Sequence, residues 1–307
     1  MKPAVFLAIP LGKPFQDLLS GKFTLITDPA QRHEAEAILL AGASVTSAKE
    51  MDAMPKLRII ACIGSGHEGI DVGEATRRGI KVTNTVGANA AAVADLAVAL
   101  LLASIRHVAT GDRLMRAGVW RGDDAARLLF SPGLTGRKIG IVGLGAIGEK
   151  IATRLAAFET EIGYHSRNKR EASPYSYFET PLALAKWADA LVLAHRADET
   201  NRHMVNAEII EALGPRGHIV NITRGSAIDE EALISALKSG ALAGAGLDVF
   251  EGEPDHIRPE LRELPNIVLT PHIGGASVEA LRSMLDASVA NLDAFFAGMP
   301  VPNPVTA

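Results

Sequence analysis

Short apolar runs alternate with amphipathic segments along the first part of the chain. Between residues 5 and 84, the runs VFLAI, FTLIT, SVTS, RIIACI and IKVTN are separated by stretches such as AQRHEAEAILLAG and DVGEATRRG. Continuous apolar strands that alternate with helices indicate a parallel sheet covered on both faces. The pattern therefore predicts a first α/β domain.

A second series of the same kind begins at Lys138, and its predicted strands lie in KIGIVG, EIGYHS, ALVLAH, HIVNIT, GAGLDVF and IVLT. About six strands are expected of a complete dinucleotide-binding sheet. Between the two series, Ala90 to His107 forms a helical candidate that is apolar on nearly every side and should be buried. The last helix, Ser277 to Phe296, should return the chain to the first domain.

These elements predict an α/β fold with two Rossmann-like or flavodoxin-like parallel-sheet domains. We expect a discontinuous substrate-binding domain of residues 1–97 and 280–307, and a dinucleotide-binding Rossmann domain of residues 98–279.

Composition narrows the classes of protein to consider. The chain has 307 residues, of which 48% are hydrophobic and 21% charged, so each domain can bury a core. A net charge of −4 gives no general attraction to nucleic acid or to anionic membranes. Cys62 is the only cysteine, so it has no partner for an internal disulfide. The first apolar run is too short for a signal peptide. The histidines lack the spacing of metal ligands. We expect a cytoplasmic protein with no metal, nucleic-acid or membrane partner.

The segment from Gly143 to Gly148 reads G-x-G-x-x-G, a pattern that is weak by itself because the chain has 29 glycines. Its context strengthens it, because it follows a predicted strand and opens a predicted helix. Backbone amides at such a turn can hold a pyrophosphate. A tight turn without any ligand is the alternative interpretation.

The second strand of this series ends in HSRNKR, where dinucleotide-binding folds usually place a carboxylate for the ribose 2′-hydroxyl. Ser166 and Arg167 could instead bind a 2′-phosphate, while Lys169 and Arg170 add positive potential. The segment therefore favours NADPH or NADP, and NADH or NAD remains the alternative cofactor. A solvated basic loop is the other interpretation.

Three polar residues follow apolar runs in the second half of the chain: Arg224, Glu253 and His272. At the carboxyl edge of a nicotinamide site, this set suits reduction of a 2-keto acid. Arg224 would bind the substrate carboxylate and polarise the carbonyl, and His272 would donate the proton. Glu253 would favour the imidazolium if it touched the ring.

Four stretches of sequence together resemble a known family. They are NTVGANAAAVADLAVALLLASIRHV at 84–108, LTGRKIGIVGLGAIGEKIA at 134–152, VNITRGSAIDEEALISALKSGALAGAGLDVFEGEP at 220–254 and TPHIGGAS at 270–277. Over nearly the whole chain the sequence resembles the D-isomer-specific 2-hydroxyacid dehydrogenases, most closely the glyoxylate/hydroxypyruvate reductase branch. The resemblance implies an active site in the cleft between the domains, and a homodimer formed through Ala90 to His107 and its surroundings.

The resemblance also implies individual roles. Arg224, Glu253 and His272 would be catalytic, with Glu253 rather than Glu251 as the partner of His272. Substrate would be bound by Ser65, Gly66, Arg224 and His272, the first two through backbone amides, and Asp248 would face the nicotinamide carboxamide. Cofactor contacts would come from Gly143, Leu144, Gly145, Ala146, Ile147, Gly148, Ser166, Arg167, Lys169, Arg170, Ala194, His195, Thr200, Thr223, Arg224, Asp248, His272 and Gly274.

One position departs from the family pattern, because His195 stands where members usually carry a proline. The function implied by the resemblance is NADPH-preferring reduction of glyoxylate and hydroxypyruvate to 2-hydroxy acids. Two alternatives stay open: an NAD(H)-dependent dehydrogenase of phosphoglycerate or D-lactate type, and a non-enzymatic, NAD(H)-sensing corepressor.

Overall fold

A computed structural model describes residues 2–42, 44–123, 128 and 130–306. The chain forms two compact units, one of residues 1–89 and 275–307 and the other of residues 90–274. Both are parallel α/β structures, as predicted. The predicted domain boundaries lie further along the chain, at 97/98 and 279/280. The first of them would cut the helix Ala90–Ile105, which belongs entirely to the second unit.

The first unit contains a five-stranded parallel sheet with the order β2-β1-β3-β4-β5. Its strands are β1 (Ala4–Leu7), β2 (Thr24–Ile26), β3 (Ala37–Ala41), β4 (Ile59–Ile63) and β5 (Lys81–Thr83). Its helices are α1 (Lys13–Ser20), α2 (Ala48–Asp52) and α3 (Val72–Arg77), with a 3₁₀ turn at Pro29–Glu34. Buried apolar side chains cover both faces of this sheet, as a parallel sheet requires.

Two details of the first unit differ from the sequence prediction. AILLA was predicted as part of a helix, but it forms β3 at the centre of the sheet, where all but Ala41 are buried. SVTS was predicted as a strand, but among its described residues only Thr46 joins a ladder, as an isolated bridge to Ile70. A short, continuous apolar run has no period that distinguishes a central strand from a buried helix.

The second unit contains a seven-stranded parallel sheet with the order β12-β11-β10-β9-β6-β7-β8. Its strands are β6 (Lys138–Val142), β7 (Glu161–His165), β8 (Ser176–Tyr177), β9 (Ala190–Leu193), β10 (His218–Asn221), β11 (Gly244–Leu247) and β12 (Ile267–Leu269). Six were predicted. The missed strand, β8, has only two residues and lies at the sheet edge. The strand order reverses between β6 and β9, and α/β folds bind their ligands at such a switch point.

The helices of the second unit begin with α4 (Ala90–Ile105) and α5 (Val108–Arg116), which are bent by 64° relative to one another. They continue with α6 (Ala146–Ala156), α7 (Pro181–Trp187), α8 (Ala207–Leu213), α9 (Glu230–Ser239) and α10 (Pro259–Glu263), and 3₁₀ turns lie at Glu199–Asn201 and Gly225–Ala227. The long last helix, α11 (Val278–Phe296), belongs to the first unit and packs on β4, as its position in the sequence predicted.

The apolar helix α4 is a core element of the second unit. Nine of its 16 residues are buried, and it packs against α6, β10 and β11. Among the described residues, no single helix is long and apolar enough to span a membrane; α4 and α5 reach that length only as a bent pair.

Candidate cofactor and active site

The glycine turn follows β6 and opens α6, as predicted, and each glycine has a different reason to lack a side chain. Gly143 has φ +97°, and a Cβ there would lie 2.5 Å from the Cα of His195. At Gly148 a Cβ would lie 2.0 Å from the carbonyl oxygen of Gly143. At Gly145, the N-cap of α6, a Cβ would meet no described atom within 4 Å. The turn thus packs the helix on the strand and leaves the backbone at Gly145 open to a ligand.

A cavity of about 670 Å³ lies at the carboxyl ends of β6, β7 and β9 in the second unit. The glycine turn, the segment after β7 and the segment after β9 line it. It includes many of the residues predicted to hold the cofactor, namely Gly143, Leu144, Gly145, Ser166, Arg167, Lys169, Arg170, Ala194, His195 and Thr200. Its size, position and open helix N-terminus fit a dinucleotide.

The predicted basic segment after β7 divides into paired and unpaired cations. Lys169 forms an ion pair with Glu171 at 3.1 Å, and Arg170 forms one with Glu149 at 3.4 Å. Arg167 is exposed and makes no hydrogen bond or ion pair with the residues that the structure describes. The hydroxyl of Ser166 donates to the carbonyl oxygen of Asn168 at 2.8 Å.

Below this segment, the buried phenol of Tyr164 fixes the path of the backbone. Its hydroxyl accepts a hydrogen bond from the amide of Arg170 at 2.9 Å and donates one to the carbonyl of the same residue at 3.3 Å. The segment therefore has an anchored end, while Arg167 stands at its exposed tip.

Four cationic side chains and one carboxylate line the described part of the cavity. The carboxylate is Asp198, which accepts hydrogen bonds from the amide of Thr200 at 2.9 Å and from the side chain of Asn201 at 3.1 Å. Hydrogen bonds from Thr200, followed by the charges of Arg196 and Arg167, lower the pKa of Asp198. The described lining of the cavity is therefore net positive, which suits the phosphate groups of a dinucleotide.

His195 lines this cavity with a neutral ring. Burial lowers the pKa of His195 to about 4. Both ring nitrogens are buried, and neither forms a hydrogen bond within the described part of the chain. Asn201 lies beside the ring, but its amide donates to the Arg196 carbonyl and to Asp198, and its oxygen accepts from the Asp198 amide.

A second cluster lies at the carboxyl ends of β10, β11 and β12 and contains Arg224, Glu253 and His272. Nδ1 of His272 lies 2.5 Å from Oε1 of Glu253. The charge of Arg224 lowers the pKa of both partners. The three residues predicted from strand ends are therefore neighbours, and the imidazole partner is Glu253. Glu251 instead bonds Arg202 at 2.7 Å and His203 at 3.0 Å.

The electrostatics of this cluster favour an ion pair. The hydrogen bond that His272 donates to Glu253 raises the pKa of His272, although burial opposes this shift. Burial raises the pKa of Glu253, but the hydrogen bond and charge of His272 and the amide of Phe250 outweigh burial, so that pKa lies below its ordinary value. An imidazolium beside a carboxylate can act as a proton donor near neutral pH.

Asp248 organises the loop that carries His272. Its carboxylate accepts hydrogen bonds from the Thr270 hydroxyl at 2.6 Å, the Ile273 amide at 2.9 Å and the Gly274 amide at 2.8 Å. His272 itself has a left-handed backbone with φ +53°, a conformation that costs free energy outside glycine. A carboxylate accepts about four hydrogen bonds, so one acceptor position remains for the predicted carboxamide contact.

Two supporting residues were not predicted. The side chain of Asn221 donates to the Arg224 carbonyl at 2.8 Å, and its oxygen accepts from the amide and the hydroxyl of Thr223. Thr270 holds Asp248, as described above. Both stand at the carboxyl ends of strands, which was the signal available in the sequence.

The predicted carboxylate-binding loop follows β4 and belongs to the first unit. The Gly64 amide donates to the Thr85 hydroxyl at 2.8 Å, and the Asn84 side chain donates to the Ser65 carbonyl at 3.0 Å. Among the described residues, the amides of Ser65 and Gly66 donate to no protein group. They are therefore available to a ligand. No cluster of three or more metal-ligating side chains occurs in the described ranges.

Comparison with known proteins identifies the family of this chain. Residues 98–274 match the model of the NAD-binding domain of D-isomer-specific 2-hydroxyacid dehydrogenases. The chain is 39% identical to hydroxyphenylpyruvate reductase of Plectranthus scutellarioides and 38% identical to glyoxylate/hydroxypyruvate reductase A of Arabidopsis thaliana, with 98% of each chain covered in both cases.

A solved structure shows the same architecture. It is the NADPH-dependent glyoxylate/hydroxypyruvate reductase of Sinorhizobium meliloti in complex with NADP and malonate, with a TM-score of 0.88 and 36% identity over 100% of this chain and 97% of that one. This chain therefore belongs to the D-isomer-specific 2-hydroxyacid dehydrogenase family of NAD(P)-dependent oxidoreductases.

Proposed function

We propose that this protein is an NADPH-preferring reductase of small 2-keto acids, with glyoxylate and hydroxypyruvate as its first substrates. The observation that carries the proposal is the cluster of Arg224, Glu253 and His272, with its 2.5 Å contact between imidazole and carboxylate. Relatives named as reductases of glyoxylate, hydroxypyruvate and hydroxyphenylpyruvate support the reaction class.

The residues of the cluster would divide the chemistry between them. A bound reduced nicotinamide supplies the hydride. The guanidinium of Arg224 offers a planar pair of donors to the substrate carboxylate and stabilises negative charge on the carbonyl oxygen. The imidazolium of His272 donates its Nε2 proton to that oxygen, while Glu253 holds the ring through Nδ1. The amides of Ser65 and Gly66 stay predicted contacts of the substrate carboxylate.

The preference for NADPH rests on the strand end after β7. No carboxylate lies between Tyr164 and Arg170, and the described cavity lining carries four cations against one carboxylate. Arg167, whose guanidinium has no partner among the described residues, would grip the 2′-phosphate with help from the Ser166 hydroxyl. Because this phosphate carries about two negative charges and NADH lacks it, binding by Arg167 would favour NADPH over NADH.

The test is a matrix of kcat/KM values for glyoxylate, hydroxypyruvate and hydroxyphenylpyruvate, each with NADPH and NADH. We expect the largest values for the two small acids with NADPH. The His272→Gln variant should bind NADPH but lose turnover, which assigns the activity to this site. Trace turnover by the unmodified protein, with tight NADPH binding intact, would contradict the proposal and favour a cofactor-sensing protein.

We further propose that the protein forms a homodimer and acts in the cytoplasm. The homodimer is supported by large apolar side chains that the described residues expose between positions 108 and 130. The cytoplasmic location remains a prediction from the sequence.

A further inference from the structure

Glu230 is a buried carboxylate outside the proposed catalytic cluster of Arg224, Glu253 and His272. It is the first residue of α9, and only 2% of it is exposed. Its Oε1 accepts a hydrogen bond from the amide of Glu251 at 2.8 Å. Its Oε2 has no hydrogen-bond partner among the described residues, and the ion pair with Nε of Arg258 is long, at 3.6 Å. Burial of a carboxylate is unfavourable unless its contacts compensate for the lost hydration. The burial of Glu230 therefore suggests that its contact with the Glu251 amide has a role.

The group that Glu230 holds belongs to the segment that carries Glu253. Two consecutive amides of this segment donate to two carboxylates: the Phe250 amide to Oε2 of Glu253 at 2.9 Å, and the Glu251 amide to Glu230. The segment also packs tightly against Gly225, where a Cβ would lie 2.0 Å from the Phe250 carbonyl carbon. Glu230 therefore fixes the backbone one residue from the amide that orients Glu253.

The charges around Glu230 point to the same coupling. Burial raises the pKa of Glu230; the Glu251 amide and Arg258 lower it, and the charges of Glu251 and Glu253 raise it. Around His272 the charged groups are Glu253, Arg224 and Asp248. Glu230 is not among these groups, whereas Glu253 acts by its charge on both Glu230 and His272.

The helix alone does not explain this carboxylate. The N-cap of α9 is already formed by Asp229, whose side chain accepts from the amides of Glu231 and Ala232. Glu231 is exposed and supplies a second negative charge to the same first turn. Favourable interaction with the helix dipole therefore needs neither the burial of Glu230 nor its bond to Glu251.

We propose that Glu230 is a positioning residue, which holds the Phe250–Glu253 segment through the Glu251 amide so that Glu253 meets the imidazole of His272. The proposal rests on the proposed function, because it assigns His272 as the proton donor. Loss of the Glu230 acceptor should let the segment shift, lengthen the contact between Glu253 and His272, and lower the pKa of His272 toward its ordinary value.

The experiment compares Glu230→Ala, Glu230→Asp, Glu230→Gln and the matched control Glu231→Ala. Glutamine keeps an oxygen that can accept from the Glu251 amide, aspartate keeps the charge but is too short to reach it, and alanine keeps neither. The readouts are the His272 ring titration by NMR, identified by its loss in His272→Gln, together with kcat, KM and NADPH affinity.

We expect Glu230→Ala and Glu230→Asp to lower the His272 pKa and to reduce kcat by about tenfold or more, with NADPH affinity unchanged. Glu230→Gln and Glu231→Ala should match the unmodified protein. If Glu230→Ala does not fold, Glu230→Asp decides. A folded Glu230→Asp with unchanged His272 titration and kcat would overturn the proposal, and so would Glu230→Gln behaving like Glu230→Asp.

Failure of the proposed function gives a different result. An unmodified protein that reduces no 2-keto acid would remove the kcat comparison but not the NMR titration, which needs no substrate. The titration then decides the role of Glu230 by itself.

Discussion

Arg167 is the side chain on which cofactor choice should depend. Its guanidinium is unpaired among the described residues, whereas Lys169 already pairs with Glu171. Arg167→Asp should weaken NADPH binding about ten- to hundredfold, because a hydrogen bond to a charged group contributes about 1.5–3 kcal/mol. The same change should shift the ratio of kcat/KM toward NADH, since the new carboxylate repels a 2′-phosphate and accepts from a 2′-hydroxyl.

The matched control for this prediction is Lys169→Ala, which removes one positive charge from the same segment. It should lower NADPH affinity only slightly, because Glu171 already neutralises much of the Lys169 charge. Equal losses in the two variants would show that the segment acts only through its general potential.

The pH dependence of the reaction should follow the pair of Glu253 and His272. Reduction needs the imidazolium, so kcat/KM should be constant at low pH and fall as pH rises through the raised pKa of His272. On the acid side, Glu253 stays ionised until pH falls through its lowered pKa. The stability of the ion pair follows the same limits, because His272 loses its contribution as pH rises and Glu253 loses its own as pH falls.

Glu253→Gln should move the alkaline fall of kcat/KM to lower pH. The imidazolium then loses its charged acceptor, while burial and Arg224 still lower the pKa of His272. The control is Asp255→Asn, which removes an exposed charge two residues away. An alkaline limb that stays in place in Glu253→Gln would mean that another group supplies the proton.

At the scale of residues, the sequence predicted site residues from polar side chains that follow predicted strands. Arg224, Glu253 and His272 were predicted in this way, because parallel strands bring their carboxyl ends to one edge. The hydrogen bonds of Asp248 to the loop after β12 and of Glu230 to Glu251 could not be predicted. They join backbone and side-chain atoms that are distant in sequence, and the pattern of hydrophobic and polar residues does not predict such contacts.

The turn between β6 and α6 is the element with the sharpest steric requirements. Gly148→Ala should destabilise the protein by about 1–3 kcal/mol, because a Cβ there would lie 2.0 Å from the Gly143 oxygen. Gly145→Ala should change stability by less than about 0.5 kcal/mol, since no described atom lies within 4 Å of its Cβ. The measurements are urea unfolding and NADPH affinity.

The two substitutions should separate folding from binding. Gly145→Ala places a methyl group where the pyrophosphate must approach the backbone, so NADPH affinity should fall about tenfold or more, or about 1.4 kcal/mol. If Gly145→Ala instead binds NADPH normally, the pyrophosphate does not approach the amides of this turn.

Elements with a clear boundary signal were predicted best. The last helix was predicted from Ser277 to Phe296, and in the structure Ser277 caps α11 (Val278–Phe296). The errors fall on Ala37–Ala41 and on SVTS, where a short apolar run and a short β-branched run lacked any distinguishing period. For Ala37–Ala41 the strand is determined by pairing with β1 and β4, which lie outside the segment.

At the scale of the whole molecule, the two repeated α/β series were sufficient to predict two parallel-sheet units and a discontinuous first unit. The predicted boundary at 97/98 falls inside α4. The structure assigns all of α4 to the second unit, where it covers β10 and β11. The nine buried side chains of α4 pack within one chain, so a dimer surface at α4 would be formed by its other residues and by the segment after it.

The homodimer should involve apolar side chains that follow α4, in the surroundings of the segment predicted as its interface. Met115, Trp120 and Phe130 are exposed, with 72% of Trp120 and 91% of Phe130 accessible. Large exposed apolar side chains often mark protein–protein interfaces, and a second copy of the same surface would cover them in a two-fold dimer. Sedimentation velocity should give the mass of two chains for the unmodified protein. The double variant Trp120→Asp with Phe130→Asp should give the mass of one chain.

The matched control is Met299→Asp, which changes an exposed apolar residue near the chain end and should leave the dimer intact. A monomer before substitution would contradict the prediction, and a dimer that survives the double substitution would place the interface on another surface.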